Sequence, residues 1–287
     1  MCAIAGWFGL KLKYETDRTK LLVHLARKIQ AGGDKSFGIS WMKDGKGQLT
    51  KFTGAASQWL QQNIKELPAI SKSSAVLMHA RQPTHGNVTK TNCHPFAIGN
   101  WYAAHNGVLR NSKELMSKAM YVAAGETDSE EALCYIVGEN WSAESLSKLQ
   151  GYYAFEAMKK DGSQVLLIAD SCARLHFAYV GDGVVWATDP DVLESSLKAV
   201  GIKAEPIKLK CQVLKMPGRT ITEFKEGSTT YYSSGYSSGY TGHHSRSWDD
   251  ETGINGRWDP VTKTWEKSKD TQPTATTEPA DGLQSID

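Results

Sequence analysis

Long hydrophobic runs and an excess of one charge are both missing from this 287-residue chain. No 18 consecutive residues are apolar, which argues against a membrane-spanning helix. The first residues lack a basic segment followed by an apolar one, so no secretory signal is expected. The formal net charge is only +2, and the composition therefore gives no indication of a nucleic-acid partner.

Cysteine is scarce, with five residues and no closely spaced pair. An odd number without close spacing does not describe a disulfide framework, so we expect a reduced, cytoplasmic setting. The histidines are scattered as well. The spacings of His79, His85, His94 and His105 fit no common zinc pattern, and we expect neither a metal nor another cofactor.

The composition of the chain changes near residue 226. Residues 1–225 carry a net charge of +7, whereas residues 226–287 carry −5 and only four aliphatic side chains. So few aliphatic residues cannot bury enough apolar surface to offset the entropy of ordering the segment. The sequence therefore predicts one folded domain over 1–225 and a flexible, low-complexity tail over 226–287.

The tail contains two recognisable patterns. Tyrosine recurs every four residues from Tyr232 to Tyr240, separated by Ser-Ser-Gly, which is typical of a flexible segment. Further on, Trp258 and Trp265 flank an Asp-Pro pair that suits a type I turn, so a short hairpin with facing tryptophans is expected. The tail is either an assembly segment with adaptable aromatic contacts or an unselected linker.

Helix and strand patterns fill the first 225 residues. Strands are predicted at 2–10, 36–43, 74–80, 101–106, 152–158, 164–169, 175–180, 184–188, 211–216 and 219–224. Helices are predicted at 17–31, 111–119, 128–140 and 190–200. The helices fall between groups of strands rather than alternating with single strands. This order favours layered sheets with helices outside over a doubly wound parallel sheet.

Several residues are predicted to begin or end these elements. Asn111 and Asp128 are N-cap candidates, each followed three positions later by a glutamate. Pro190 suits the first turn of the last helix. Gly107 is predicted to end the strand at 101–106, and Asn106-Gly107 taken alone is typical of a hairpin turn.

The second residue of the chain is a cysteine, and this position is chemically special. Methionine aminopeptidases remove Met1 when the second residue is small, which leaves Cys2 with a free α-amino group. An α-amine titrates near ~7.7–8.0 and can act as a general base for the thiol of the same residue. Taken alone, a cysteine at this position would more often be a small apolar residue that opens a buried strand.

Further motifs follow Cys2 in a fixed order. They are 33–38 (GDKSFG), 79–86 (HARQPTHG), 92–95 (NCHP), 105–111 (HNGVLRN) and 127–130 (TDSE). With MCAIAGWFG at the start, this set resembles the class II glutamine amidotransferases, N-terminal-nucleophile hydrolases that release ammonia from glutamine. Residues 149–155 and 166–189 resemble the family's later strands, so the resemblance covers roughly residues 1–220.

The resemblance implies a fold and a catalytic centre. The fold is α+β, a four-layer αββα sandwich in which two antiparallel sheets lie between helical layers. Cys2 is implied to attack the glutamine carboxamide and to form a thioester. The side chain of Asn106 and the backbone N–H of Gly107 are implied to stabilise the negative charge that develops on the carboxamide oxygen.

The resemblance also implies how the amino-acid end of glutamine is held. Arg81 is expected to pair its planar guanidinium with the substrate α-carboxylate. Thr84 and His85 are expected to line the same end, and Asp128 to accept hydrogen bonds from the α-ammonium. Taken alone, Arg81 would more often be a surface salt-bridge partner, and Asp128 would more often be a helix cap.

Two positions depart from the family pattern. Many relatives have tryptophan after the arginine, where this chain has Gln82. Many have Arg-Gly before the Ser-x-Gly loop, where this chain has Gly32-Gly33. Both departures are expected near the glutamine pocket, so they bear on how the pocket closes.

The sequence thus predicts a stand-alone glutamine amidotransferase that passes ammonia to a synthase or ligase on another chain. Only 62 residues follow the predicted domain 1–225, and no phosphate-binding glycine-rich loop is present. Such an architecture would suit a small genome such as a bacteriophage's. Two alternatives stay open: a γ-glutamyl amide hydrolase that acts alone, and a non-catalytic assembly protein that reuses the fold.

Overall fold

The computed structural model describes residues 2–83 and 86–226, and the backbone of two short strands at 256–259 and 264–267. The chain divides into two units, Met1–Tyr231 and Tyr232–Asp287. None of the helices in the described part of the chain combines the length and apolar composition needed to cross a bilayer.

Helices and strands succeed one another along the first unit. The helices are α1 (Glu15–Ile29), α2 (Ala56–Gln62), α3 (Leu67–Ser71), α4 (Ser112–Met116), α5 (Asp128–Gly138), α6 (Ala143–Ser147) and α7 (Pro190–Lys198). The strands are β1 (Ala3–Phe8), β2 (Ser36–Lys43), β3 (Lys46–Phe52), β4 (Ala75–Arg81), β5 (Phe96–Ile98), β6 (Trp101–Leu109), β7 (Gly151–Lys159), β8 (Val165–Ala169), β9 (His176–Val180), β10 (Gly183–Ala187), β11 (Ile207–Lys208), β12 (Gln212–Met216) and β13 (Thr220–Glu223).

The strands form two antiparallel sheets. We name the first sheet A, with strand order β11-β9-β10-β1-β4-β2-β3, and the second sheet B, with order β13-β12-β8-β7-β6-β5. In sheet A, β1 lies between β10 and β4, and Ala3 pairs with Ala80. In sheet B, β6 and β7 pair along their whole length, from Trp101 opposite Lys159 to Leu109 opposite Gly151.

Three hydrophobic clusters define the layers of the molecule. One cluster packs α1, α2, α3 and α7 against sheet A, and its helical part includes Leu21, Leu25 and Ile29 from the periodic stripe of α1. A second packs α4, α5 and α6 against sheet B. The third lies between the two sheets. The predicted four-layer αββα sandwich is therefore confirmed.

A carboxyl group is buried in the layer between the sheets. Glu156 on β7 is fully buried, and its Oε2 accepts a hydrogen bond from the indole Nε1 of Trp186 on β10 over 2.6 Å. The other carboxyl oxygen has no hydrogen-bond partner among the described residues. Burial raises the pKa of Glu156 well above its ordinary value, so this carboxyl is held as the neutral acid.

Some element ends differ from the prediction. The strand that was expected to stop at Gly107 continues to Leu109, because β7 pairs with it as far as Gly151. The N-cap of α5 is Thr127 rather than Asp128, since the Thr127 side chain accepts the Glu130 backbone N–H over 3.1 Å. Pro190 begins α7 as expected, behind an Asp189 cap.

The tail hairpin is confirmed at the level of the backbone. Strands β14 (Gly256–Asp259) and β15 (Thr264–Lys267) pair antiparallel, and Trp258 lies opposite Trp265. The tyrosine repeat from Tyr232 to Tyr240, which was expected to be flexible, lies outside the described residues.

Candidate active site

Cys2 lies at the start of β1, at one end of sheet A. Because Ala3 pairs with Ala80, the register places Cys2 opposite Arg81 at the end of β4. The thiol is partly buried, and its Sγ lies 3.6 Å from the carbonyl oxygen of Gln82. Burial raises the pKa of this thiol, against the lowering effects of the Gln82 contact and the nearby positive charge of Arg81. The uncharged thiol is therefore the resting form.

Two glycines pack against the start of β1 and the end of β4. A Cβ added at Gly32 would lie 2.6 Å from the Cβ of Ala3, and one added at Gly33 would lie 2.2 Å from the carbonyl carbon of Arg81. The Gly32-Gly33 departure from the family pattern thus coincides with a backbone that packs directly against Ala3 and Arg81. A side chain at either position would push these segments apart.

Asn106 and Gly107 lie inside strand β6 rather than in a hairpin turn. Gly107 adopts a φ of 150°, and a Cβ there would lie 2.0 Å from the carbonyl oxygen of Tyr152. Only glycine fits such a position without distorting the strand pair. The hairpin interpretation of Asn106-Gly107 is therefore wrong.

The side chain of Asn106 reaches across to sheet A. Its Nδ2 donates to the hydroxyl Oγ1 of Thr188 over 3.5 Å. The same hydroxyl accepts the backbone N–H of Ile4 over 2.8 Å. Asn106 is thus linked through Thr188 to the strand that begins at Cys2.

Arg81 is the last residue of β4 and is buried, with 3% of its surface exposed. Its Nη1 donates to the backbone carbonyl of Asn87 over 3.3 Å, which ties the guanidinium to the segment that follows it. The surface salt-bridge interpretation of Arg81 is therefore wrong. Thr84 and His85 lie outside the described residues.

Asp128 is the first residue of helix α5, and its carboxylate joins the helix to strand β6. Oδ2 accepts the backbone N–H of Leu109 over 2.9 Å, and Oδ1 lies 3.5 Å from the Ser129 hydroxyl. The Ser129 hydroxyl also contacts Nδ1 of His105 over 2.8 Å. The negative charge of Asp128 acts to raise the pKa of Cys2, which places the two side chains within electrostatic range.

Three histidines, His79, His94 and His105, are buried close to Arg81 and Asp128. His79 Nε2 contacts the carbonyl oxygen of His105 over 3.0 Å, and the rings of His79 and His94 stack with centroids 4.0 Å apart. Burial lowers the pKa of His79 to about 3 and that of His105 to about 4. These rings are therefore neutral near pH 7 and serve as packed polar groups. No cluster of three or more metal-ligating side chains occurs among the described residues.

Sequence reasoning missed three residues that the fold brings to this site. Thr188 and Ser129 hydrogen-bond to Asn106 and Asp128, respectively. Tyr152 lies opposite Val108, and the pKa of its phenol is raised by burial and by the charges of Cys2 and Asp128. Tyr152 and Thr188 lie in the segments 149–155 and 166–189, which were recognised only as strands, and Ser129 lies inside the TDSE motif.

Comparisons with known proteins identify the family of the chain. Residues 4–182 match the sequence profile of the family described as glutamine amidotransferases class-II. The chain is 29% identical over 190 residues to the glutamine–fructose-6-phosphate aminotransferase (isomerizing) of Streptococcus agalactiae serotype III, which covers 61% of this chain and 30% of that relative. The Helicobacter pylori enzyme of the same name is 25% identical over 206 residues, covering 67% and 33%.

The fold has a counterpart among solved structures. The glutamine phosphoribosylpyrophosphate amidotransferase from B. subtilis, complexed with ADP and GMP, superposes with a TM-score of 0.59 at 21% identity. This likeness covers 77% of this chain and 48% of that one, and it shows the shared fold. The chain spans about 30% of the length of the curated relatives it matches. Because the family profile covers more than half of its residues, this chain belongs to the class II glutamine amidotransferases.

Proposed function

We propose that this chain hydrolyses the side-chain amide of L-glutamine to glutamate and ammonia, with Cys2 as the nucleophile. One observation carries the proposal: Cys2, Arg81, Asn106 and Asp128 come together from four separate elements at one end of the two sheets. A nucleophile, an amide donor, a cation and a carboxylate form the set that an amino-acid amide requires.

The first step needs a base for the thiol. Because burial raises the pKa of Cys2, little thiolate is present at neutral pH before substrate binds. Removal of Met1 places an α-amine on the same residue, and this amine takes up the thiol proton as sulfur attacks the carboxamide carbon. The amine then returns the proton to the departing nitrogen. Ammonia leaves, a γ-glutamyl thioester forms, and water hydrolyses it to glutamate.

The edge of strand β6 supplies the donors for the developing negative charge. In this strand the carbonyl of His105 and the N–H of Leu109 both point away from β7, because they bond to His79 and Asp128. Backbone groups in an antiparallel strand repeat every two residues, so the N–H of Gly107 points the same way. β5 pairs with β6 only as far as Ala103, which leaves this part of the edge accessible to a substrate oxygen.

Two opposite charges would select an amino acid over a plain amide. We propose that Arg81 binds the α-carboxylate in a bidentate manner and that Asp128 accepts the α-ammonium. Arg81 is buried, and its Nη1 donates to the carbonyl of Asn87 in the segment that follows β4. Thr84 and His85 belong to the same segment, and we propose that they line the carboxylate.

The ammonia released from glutamine requires an acceptor. The relatives matched by this chain are named glutamine–fructose-6-phosphate aminotransferases, and the match covers about 30% of their length. We propose that a synthase or ligase on another polypeptide takes up the ammonia. A cytoplasmic location and a bacteriophage origin stay predictions from the sequence.

A labelling experiment tests the function. The purified protein is expected to lack Met1 by intact mass, to release ammonia from L-glutamine, and to be labelled at Cys2 by diazo-oxo-norleucine. Cys2→Ala should lower ammonia release roughly 10³-fold or more. Cys172→Ala, at an exposed cysteine, is the matched control and should change neither labelling nor rate. Wild-type rates in Cys2→Ala would refute the proposal.

Competition against the labelling of Cys2 distinguishes glutamine hydrolysis from the two alternative functions. If a γ-glutamyl conjugate were the substrate, L-glutamine would compete weakly against labelling while the conjugate would compete strongly. We expect L-glutamine to protect Cys2. A non-catalytic assembly protein would show no labelling at Cys2 although its amino terminus had been processed.

A further inference from the structure

Thr188 joins strand β1, which follows Cys2, to the end of its neighbouring strand β10 in sheet A. It directly follows β10, and its backbone N–H donates to the carbonyl of Ile4 over 2.9 Å. Its hydroxyl Oγ1 accepts the Ile4 N–H over 2.8 Å and donates to the Ile4 carbonyl over 3.3 Å. Ile4 is two residues beyond Cys2 on the same strand, so Thr188 holds β1 by three hydrogen bonds close to its reactive end.

The hydroxyl of Thr188 also faces the other sheet. The Nδ2 of Asn106, on β6, donates to Oγ1 over 3.5 Å. One side-chain oxygen therefore contacts the strand that begins with Cys2 and the amide assigned to stabilise negative charge. Thr188 is partly buried, which keeps the contact sheltered from competing water.

The hydrogen-bond capacity of a hydroxyl decides which way the amide points. A threonine hydroxyl has one proton and two lone pairs. The proton goes to the Ile4 carbonyl, one lone pair receives the Ile4 N–H, and the second lone pair faces Asn106. A lone pair is satisfied by the NH₂ end of an amide and repelled by its oxygen, so the NH₂ group turns towards Thr188.

We propose that Thr188 is a positioning residue for amide hydrolysis. The Thr188 hydroxyl accepts a hydrogen bond from one N–H of the Asn106 amide. This contact fixes the orientation of the amide, so that its second N–H can donate to the substrate oxygen. If the amide turned over, its own oxygen would face the developing negative charge and raise the barrier. The proposal rests on the proposed function, because it assigns Thr188 a role only through Asn106.

Two substitutions at this residue isolate the hydroxyl. Thr188→Val keeps the size and removes the hydrogen bonds, whereas Thr188→Ser keeps the hydroxyl. We expect Thr188→Val to lower kcat for L-glutamine about 10- to 100-fold while KM changes less than about twofold, because the substrate binds through other residues. Thr188→Ser should restore kcat to within about threefold of wild type.

Loss of the Ile4 hydrogen bond alone could also impair the protein, so a structural control is needed. Ser73 lies just before β4, and its hydroxyl contacts two residues of sheet A: it accepts the Met42 N–H over 2.7 Å and donates to the Ala75 carbonyl over 2.6 Å. Ser73→Ala removes the same kind of contact away from Asn106. It should lower the unfolding midpoint and leave kcat unchanged.

A double-mutant cycle distinguishes positioning from general damage. In an Asn106→Ala background the hydroxyl has no amide to orient, so adding Thr188→Val should lower kcat by less than about twofold. An equal loss of kcat with and without Asn106, no loss in Thr188→Val, or no restoration by serine would overturn the proposal. If the valine variant does not fold, Thr188→Ala replaces it in the same cycle.

The cycle also separates this inference from the proposed function. If the wild-type protein releases ammonia through Cys2 but the effects of Thr188→Val and Asn106→Ala are independent, the role of Thr188 is refuted and the proposed activity stands. If the wild-type protein releases no ammonia through Cys2, the proposed activity and the role of Thr188 are both refuted.

Discussion

The carboxylate of Asp128 accepts the backbone N–H of Leu109 over a distance of 2.9 Å. Leu109 ends strand β6, which carries Asn106 and Gly107, and Asp128 begins helix α5. One hydrogen bond thus fixes the residue proposed to bind the substrate ammonium relative to the strand proposed to stabilise the transition state. The two ends of the substrate site therefore form a single unit.

Replacing Asp128 by asparagine should weaken recognition of the amino-acid end. The amide keeps an oxygen for the Leu109 N–H and loses the charge that pairs with the α-ammonium, so kcat/KM for L-glutamine should fall roughly 10- to 100-fold. The rate with glutaramate, which lacks the α-amino group, should change less than about twofold. Steady-state ammonia release with both substrates gives the comparison.

A second acid on the same helix provides the control for that variant. Glu131 also accepts a serine hydroxyl, from Ser112 over 2.7 Å, and Glu131→Gln removes one charge from α5 as well. It should leave kcat/KM for both substrates near wild type. Equal losses for glutamine and glutaramate in Asp128→Asn would contradict the ammonium assignment.

Replacing Gly107 by alanine should damage both stability and activity. The new Cβ would meet the Tyr152 carbonyl at 2.0 Å in a backbone conformation that L-residues avoid, so we expect a cost of about 3 kcal/mol or more. Gly45→Ala is matched for positive φ but has open space around it, and it should cost about 1–2 kcal/mol. Urea unfolding measures the free-energy cost of each variant. Equal costs would contradict the proposed clash between the new Cβ at position 107 and the Tyr152 carbonyl.

The buried histidines predict a loss of stability in acid. The unfolded chain binds protons on its histidines below about pH 6.5, whereas burial holds the pKa of His79 at about 3 and that of His105 at about 4. Stability from these rings is therefore complete above pH 6.5 and falls as the pH decreases towards 4. Each ring contributes a slope of up to about 1.4 kcal/mol per pH unit.

One substitution checks this origin of the acid sensitivity. His79→Gln keeps an N–H donor for the His105 carbonyl and removes one titrating ring. The free energy of unfolding, measured by urea between pH 4 and 7, should depend less steeply on pH than in wild type. The slope should be smaller by up to about 1.4 kcal/mol per pH unit, which corresponds to one proton fewer taken up on unfolding. An unchanged slope would show that His79 is not neutral in the folded chain.

The buried carboxyl of Glu156 predicts the opposite trend. The unfolded chain releases this proton above about pH 4.5, whereas the folded chain retains it because burial raises the pKa. Stability is therefore lost as the pH rises above 4.5, by up to about 1.4 kcal/mol per unit until the folded pKa is reached. Glu156→Gln keeps an oxygen for the Trp186 indole and should be more stable than wild type at pH 8, with a smaller advantage at pH 5. Lower stability at both values would contradict this.

The local patterns of the sequence predicted much of the fold. The strand at 36–43 has the predicted bounds, and Pro190 begins α7. Other elements were missed because their signals are weak: β3 is half exposed and carries no run of apolar residues, and β5 has only three residues. Gly107 was misplaced because a glycine in a strand and a glycine that ends one look alike until the partner strand is known.

The site was predictable only where its residues lie in local motifs. Cys2, Arg81, Asn106 and Asp128 were identified as candidates through their motifs. Thr188 was not, because its importance depends on a hydroxyl that bridges Ile4 and Asn106 across two sheets, and no local pattern in sequence marks such a contact.

In the proposed mechanism, the terminal nitrogen of Cys2 activates the sulfur of the same residue. The most direct measurement compares ammonia release from L-glutamine before and after proteolytic removal of an amino-terminal extension that leaves Cys2 as the first residue. The account predicts that the extended protein is inactive and that activity appears in proportion to cleavage. An extended protein that hydrolyses glutamine as fast as the cleaved one would contradict it.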